Sequence, residues 1–132
     1  MNKTWKILVT DDEITARQFV RSVLESELPV KVISASNGEE CLRLAAEENP
    51  DLIILDVMMP IMDGCDAFLG LRDNPKTAKI PVVMLSSLSE VLNHMQSKAR
   101  QEQPNDFVEK PVEPVILVRV VRSLLGIPKT PH

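Results

Sequence analysis

The sequence predicts an α/β fold, a five-stranded parallel sheet flanked by helices on both faces. Strand-like runs alternate along the chain with segments whose apolar residues recur at helical spacing. The strand-like runs are mostly apolar, which is typical of parallel strands that are buried on both faces. With 132 residues, the chain has the length of a single domain.

The first half of the sequence provides three strands and two helices with recognisable ends. Pro29 ends the first helix, and Ser36-Asn37-Gly38 provides capping residues for the second. The third strand is a continuous apolar run bounded by two Xaa-Pro pairs. In order, we expect a strand at 6–10, a helix at 13–28, a strand at 30–33, a helix around 41–46 and a strand that ends at Asp56.

The second half provides two strands and three helices. Asp73-Asn74-Pro75 ends a short helix, Pro104 ends the next, and Pro114 suits the first turn of the last helix. In order, we expect a helix at 67–71, a strand at 80–85, a helix at 90–103, a strand at 106–109 and a helix at 114–125. Right-handed crossovers between parallel strands place all five carboxyl ends along one edge of the sheet.

Composition and charge narrow the classes of function. The formal net charge is −4 and Lys and Arg form no cluster, which argues against direct binding to nucleic acid. The N-terminus has no signal-peptide pattern, and the apolar segment 115–125 is too short to cross a bilayer. Cys41 and Cys65 lie outside any metal-ligand spacing, so we expect two reduced, buried thiols. We therefore expect a soluble, cytoplasmic protein without membrane contact.

Polar side chains follow four of the strands at the point where each strand ends. Asp11 and Asp12 follow the first strand, Asp56 ends the third, Ser86 follows the fourth and Lys110 follows the fifth. In open α/β sheets, ligands bind at this edge. Three carboxylates held close together repel each other unless a cation compensates, and oxygen ligands suit Mg²⁺. With a lysine and a hydroxyl nearby, such an edge has the groups that phosphoryl transfer to an aspartate requires.

Each of these side chains also has a purely structural interpretation. Asp11 and Asp12 could cap the following helix, and we expect Asp12 to serve in part as that cap. Ser86 could be a hydroxyl at a strand end, and Lys110 a solvated side chain. Because all of them converge on one edge, a functional site is the favoured interpretation.

Several motifs occur in a specific order and spacing. They are residues 9–13, residues 55–64, Arg72 with Pro75 and Thr77, residues 80–86, and residues 107–111. In these motifs the sequence resembles the receiver domains of two-component response regulators, over nearly the whole chain from Lys6 to Leu125. The resemblance implies a flavodoxin-like fold with strand order 2-1-3-4-5.

The resemblance also implies a site chemistry. Asp56 would accept a phosphoryl group from a sensor histidine kinase or a histidine phosphotransfer protein. The carboxylates of Asp12 and Asp56 and the backbone carbonyl of Met58 would bind Mg²⁺ (or Mn²⁺), with Asp11 acting mainly through bound water.

A conformational switch is implied as well. Ser86 would contact the phosphoryl group and, together with Phe107, change the output face. Lys110 would pair with a phosphoryl oxygen, and the Lys110–Pro111 bond would be cis. The sequence departs from the family pattern at residues 103–105, where Gln-Pro-Asn replaces the usual Gly-Ala pair.

We therefore expect a signalling switch rather than an enzyme that acts on an outside substrate. Residues 1–126 would form the receiver domain and 127–132 a tail or the start of a linker. Its partners would be the phosphodonor and a downstream protein target or a fused output domain. Two alternatives stay open. One is a Mg²⁺-dependent phosphohydrolase, which commonly has an acid where this chain has Met58; the other is a pseudo-receiver that works without phosphorylation.

The last predicted helix has an unusually broad apolar face. On a helical wheel, Val115, Arg119, Arg122 and Ser123 share one narrow arc and apolar residues occupy the rest. Such a helix either packs deeply in the domain or buries part of its face against a partner or a second copy of the chain.

Overall fold

A computed structural model of the protein describes residues 3–87, 89 and 103–129. The five strands are β1 (Trp5–Thr10), β2 (Val30–Ala35), β3 (Leu52–Asp56), β4 (Val82–Leu85) and β5 (Asp106–Val108). The described residues also contain four helices, α1 (Ile14–Glu27), α2 (Gly38–Glu48), α3 (Gly64–Asp73) and α4 (Pro114–Leu125). The helix predicted at 90–103 lies outside the described residues.

The strands form one parallel sheet in the order β2-β1-β3-β4-β5, as predicted. Strand β3 is central and every one of its residues is buried. Its last residues pair with the ends of both neighbours, Leu55 with Thr10 of β1 and Asp56 with Leu85 of β4. The carboxyl ends of these three strands therefore lie side by side at one edge of the sheet.

Alternating side chains of the strands build two core layers, one on each face of the sheet. Ile7, Val9 and Ile54 face the layer that is completed by α1 and α4. Leu8 and Ile53 face the other layer, which is completed by α2 and α3. The predicted arrangement, with helices on both faces, is confirmed.

Helix α2 begins at the predicted cap. The Asn37 side chain accepts a hydrogen bond from the N–H of Glu40 at 2.8 Å. The Glu40 carboxylate in turn accepts from the N–H of Ser36 at 2.7 Å. Each side chain thus satisfies a backbone donor of the helix N-terminus or of the residue before it.

Helix α3 is twice as long as the predicted segment of residues 67–71, because it begins at Gly64 and ends at Asp73. The pair Asp63-Gly64 is typical of a turn, but here Asp63 is the N-cap. Its carboxylate accepts a hydrogen bond from the N–H of Asp66 at 2.8 Å. Capping residues and turn residues are chemically the same, and the pair alone does not distinguish them.

The departure at residues 103–105 has a structural role. The Asn105 side-chain oxygen accepts hydrogen bonds from the N–H of Val82 at 2.9 Å and from the Arg72 guanidinium at 3.1 Å. Arg72 also donates to the carbonyl of Ile80 at 2.8 Å. Asn105 therefore ties the starts of β4 and β5 to the end of α3.

Helix α4 has the predicted bounds, with Pro114 in its first turn and Gly126 at its C-terminus. On the apolar arc, Leu117, Val118, Val121 and Leu125 are buried, whereas Ile116 is exposed and Val120 and Leu124 are half-buried. The broad apolar arc is thus covered only in part by the described residues. Within those residues, no helix is long and apolar enough to cross a membrane. Both cysteines are free and buried, as predicted.

Candidate functional site

Three carboxylates meet at the carboxyl edge of the sheet. One ligand oxygen from each of Asp11, Asp12 and Asp56 lies within 4.8 Å of the other two. Asp11 and Asp56 are buried, and Asp12 is exposed. The short connections after β1 and β3 bring these groups together because the two strands are neighbours in the sheet.

Three hydrogen bonds hold Asp11 in place. Its N–H donates to the carbonyl of Ala35 at 3.2 Å, and its carbonyl accepts from the Arg17 guanidinium at 2.7 Å. Its carboxylate accepts from the N–H of Glu13 at 2.9 Å. The expected capping role of Asp12 is wrong, because Glu13 is the N-cap residue of α1 and makes no side-chain cap bond. The Asp11 carboxylate instead accepts from the backbone N–H of Glu13, and the Asp12 side chain is exposed.

Asp56 is paired with Lys110. The lysine ammonium donates a hydrogen bond to the Asp56 carboxylate. The lysine side chain is 41% exposed, whereas that of Asp56 is only 4% exposed. The buried Asp56 carboxylate is therefore paired with an ammonium group that reaches it from the surface.

Gly64 is a site residue that the sequence analysis did not identify. A Cβ atom at this position would overlap the carbonyl oxygen of Asp56 and come within 2.9 Å of the Val57 Cα. The N–H of Gly64 donates to the Val57 carbonyl at 2.8 Å. The first turn of α3 therefore packs directly against the backbone that carries Asp56, and only glycine leaves the space for this.

Burial opposes ionisation of the two inner carboxylates. It is the largest cause that raises the pKa of Asp11 to about 6, with the neighbouring Asp56 adding to it and the N–H of Glu13 opposing it. Burial also raises the pKa of Asp56, and the hydrogen bond from Lys110 acts against that rise. In this arrangement a bound cation would favour the ionised forms, so the site is electrostatically suited to a divalent metal ion.

The other predicted residues follow strands β4 and β5 or belong to β5. Ser86 is buried, and its N–H donates to the Val108 carbonyl at 3.2 Å. Phe107 is half-buried and packs against the core layer formed with α2 and α3. The Lys110–Pro111 peptide bond is cis. Beside Lys110 and Asp11 opens a hollow of about 430 Å³, with Phe19 and Val112 among its apolar lining.

Fold and site together define a doubly wound α/β domain with an acidic centre at the carboxyl edge of its sheet. Residues 7–122 match the family model of the response regulator receiver domain. The chain belongs to this family, and it is a receiver domain of the two-component response regulators.

Individual relatives agree with this assignment. Over 127 residues the chain is 39% identical to the probable transcriptional regulator ycf27 of Porphyra purpurea, covering 94% of this chain and 49% of that protein. It is 38% identical over 119 residues to the response regulator PleD of Caulobacter vibrioides, covering 90% of this chain and 26% of that protein. The chain thus spans half or less of these two curated relatives.

A solved structure shows the same fold. A putative response regulator from Chloroflexus aurantiacus superposes with a TM-score of 0.82 at 30% sequence identity, and the match covers 94% of this chain and 99% of that one.

Proposed function

We propose that Asp56 is the phosphoacceptor of this receiver domain. A carboxylate oxygen of Asp56 attacks the phosphorus of a phosphohistidine, the bond between that phosphorus and the imidazole nitrogen breaks, and an acyl phosphate forms on Asp56. The donor is a sensor histidine kinase or a histidine phosphotransfer protein. The observation that carries the proposal is the buried Asp56 carboxylate, which is paired with Lys110 and lies within 4.8 Å of two further carboxylates.

The acidic centre would hold Mg²⁺ (or Mn²⁺) through Asp12, Asp56 and the backbone carbonyl of Met58, with Asp11 acting mainly through water. Two features support this. The three carboxylates offer only oxygen ligands, which suit these ions, and burial disfavours their negative charge unless a cation compensates it. When bound, the ion neutralises charge between the acceptor carboxylate and the phosphoryl oxygens.

Lys110 and Ser86 would stabilise the transferred group. Lys110 already donates a hydrogen bond to Asp56, so its ammonium group can pair with one oxygen of the phosphoryl group after transfer. The Ser86 hydroxyl would donate to another oxygen, and Phe107 would turn toward the space that Ser86 leaves. This pair is the switch, since the charge added at Asp56 favours one of its two arrangements.

The switch would act through protein–protein contacts. The downstream partner is a separate protein or a fused output domain, and α4 offers Val115 and Ile116 as exposed apolar side chains for a homodimer. Residues 1–126 form this module, with a tail or linker at 127–132. It works in the cytoplasm, contacts neither membrane nor nucleic acid directly, and catalyses only its own phosphorylation and dephosphorylation.

The test is intact mass spectrometry after incubation with Mg²⁺ and acetyl phosphate. Wild type should gain one phosphoryl group, acetate being the leaving group, and hydroxylamine should remove it. Asp56→Asn should gain none. Asp63→Asn is the matched control, since asparagine keeps the N-cap of α3 and Asp56 remains in place. The control should be phosphorylated like wild type.

The other outcomes point to the two alternatives. Release of inorganic phosphate without an adduct on wild type, lost in Asp56→Asn, would indicate fast self-hydrolysis of the acyl phosphate. Turnover of unrelated phosphate esters in addition would indicate an Asp-dependent phosphohydrolase. Neither an adduct nor phosphate release would indicate a pseudo-receiver, and the proposal would be wrong.

A further inference from the structure

A small hollow opens between α1 and the edge strand β2. It has a volume of about 120 Å³ and is lined by Ile14, Arg17, Gln18, Arg21 and Ser34. A single water molecule needs roughly 10 to 15 Å³ of cavity volume, so the hollow has room for a group of several heavy atoms. Its lining contains two cations and no carboxylate, and it shares no residue with the acidic centre.

The two arginines of this hollow lie one turn apart on α1 and are held by backbone carbonyls. Arg17 donates to the carbonyl of Asp11 at 2.7 Å, and Arg21 donates to the carbonyl of Val32 at 2.7 Å. A guanidinium group has five N–H donors, so each arginine keeps further donors. Like charges four residues apart destabilise a helix slightly, and neither arginine pairs with a carboxylate among the described residues. Two positioned guanidinium groups without a counter-charge therefore line one hollow.

The edge strand adds donors of its own. The carbonyl of Ala35 accepts from the N–H of Asp11, so the odd-numbered residues of β2 face β1 and the even-numbered ones face outward. Side chains of α1 cap both outward groups of Val32, with the Glu25 carboxylate accepting from its N–H at 2.9 Å. Ser34 is the next outward-facing residue, and its backbone has no such cap among the described residues. Its N–H and its hydroxyl are therefore available to a ligand in the hollow.

We propose that this hollow binds a single phosphate group, either as the free ion or as the monoester of a small molecule. The guanidinium groups of Arg17 and Arg21 match the oxygens of a phosphate and its double negative charge, and Ser34 donates to a further oxygen. Glu25 is the acid that follows one turn after Arg21, and its carboxylate is already engaged at the Val32 N–H. This binding site is separate from phosphoryl transfer to the sheet edge and does not depend on it.

The test is a titration of the ¹⁵N-labelled full chain with inorganic phosphate, followed by ¹H–¹⁵N correlation spectra at neutral pH. EDTA removes divalent cations, and NaCl keeps the ionic strength constant. The Ser34 amide and the Nε–H groups of Arg17 and Arg21 should shift along one saturating curve, with a Kd on the order of 1 mM. Adenosine monophosphate distinguishes the two sources. A lower Kd than that of inorganic phosphate assigns the site to a phosphate monoester, and an equal or higher Kd assigns it to the free ion.

Four variants make the result specific. Arg21→Gln should weaken phosphate binding by about tenfold, because a charge-assisted hydrogen bond is lost. Arg21→Lys keeps the charge without the planar fork, so it should weaken binding less. Ser34→Ala removes only the hydroxyl and should weaken binding about threefold. Arg119→Gln is the matched control, since it removes the same charge from an exposed position on α4, and it should leave the Kd within about twofold of wild type.

The opposite results would overturn the proposal. Shifts at Ser34 that stay linear with phosphate concentration would show that no site is filled. Equal losses in Arg21→Gln and Arg119→Gln would show that net charge, and not this hollow, attracts the anion. Acetate is a monoanion and should bind several-fold more weakly than phosphate, so equal binding of both would exclude a phosphate site. If Arg21→Gln does not fold, Arg21→Lys and Ser34→Ala provide the same comparison with the control.

Discussion

Asp11 is the residue whose ionisation the fold opposes most clearly. Its pKa rises from 3.8 to about 6, chiefly through burial. Between these two pH values the folded state binds more protons than the unfolded state, so the contribution of Asp11 to stability falls as pH rises from about 4 to 6. At neutral pH, and without a divalent cation, Asp11 therefore destabilises the fold.

Replacing Asp11 by asparagine should remove this penalty. Without divalent cations at pH 7, Asp11→Asn should raise the free energy of unfolding by up to about 3 kcal/mol, since one pKa unit corresponds to about 1.4 kcal/mol. Urea unfolding monitored by circular dichroism measures the difference. Near pH 3 the variant and wild type should converge, because this lies below both pKa values and Asp11 is then largely protonated in both states. A variant less stable than wild type at pH 7 would contradict the electrostatic argument.

The residues at the site differ in how far the sequence could predict them. Five residues could be placed together because they follow or end apolar strands, and parallel strands in one sheet have their carboxyl ends at the same edge. They are Asp11, Asp12, Asp56, Ser86 and Lys110. The positive φ of Ile61 could not be predicted, since residue preferences argue against it. Gly64 was missed because its role depends on how closely α3 approaches Asp56.

At the scale of elements, the first turn of α3 packs against the end of β3, which carries Asp56. Gly64→Ala should destabilise the protein by more than about 2 kcal/mol, because the added Cβ meets rigid backbone of Asp56 and Val57. Gly70→Ala in the same helix is the matched control. Its Cβ meets only the flexible end of the Leu42 side chain, at 3.0 Å, and alanine favours the helix by about 1 kcal/mol.

Thermal unfolding of both variants measures this contrast. Gly70→Ala should stay within about 1 kcal/mol of wild type. Equal effects of the two substitutions would show that helix propensity, and not the contact with Asp56, determines the result.

The junction of β4 and β5 depends on one side chain outside the core. Asn105→Ala should cost about 1 to 2 kcal/mol, because the N–H of Val82 and one arm of Arg72 lose their shared acceptor. Asn105→Asp keeps an acceptor at the same place and adds a charge opposite Arg72, so it should remain close to wild type. Urea unfolding of the pair tests this. If the aspartate variant is as unstable as the alanine variant, loss of the acceptor is not the cause.

Sequence patterns predicted the existence of these elements better than their ends. Strand β3 could be predicted because a short, continuous apolar run between two prolines is typical of a buried strand. Helix α3 was predicted too short because Asp63-Gly64 is typical of a turn and Asp73-Asn74-Pro75 is typical of a break. The contact of Asn105 with Arg72 joins residues 33 positions apart, and no local pattern carries that information.

At the scale of the whole molecule, we expect the acidic centre to couple stability to divalent cations and to pH. Ionised Asp11, Asp12 and Asp56 repel one another in the folded state and separate on unfolding, so a cation that binds among them stabilises only the folded state. At a free Mg²⁺ concentration ten times its Kd, the free energy of unfolding should rise by about 1.4 kcal/mol. A rise of a few degrees in the melting temperature should report it.

The pH dependence of this gain distinguishes site binding from a general effect of salt. Protons compete with Mg²⁺ at Asp11, so the Mg²⁺-dependent increase should be full near pH 7 and shrink as pH falls below about 6. Melting curves at pH 5, 6 and 7 with Mg²⁺ and with NaCl of equal ionic strength measure it. Asp56→Asn should lose most of the increase. A stabilisation by NaCl equal to that by Mg²⁺ would mean that screening relieves the repulsion and that the three carboxylates do not form a metal site.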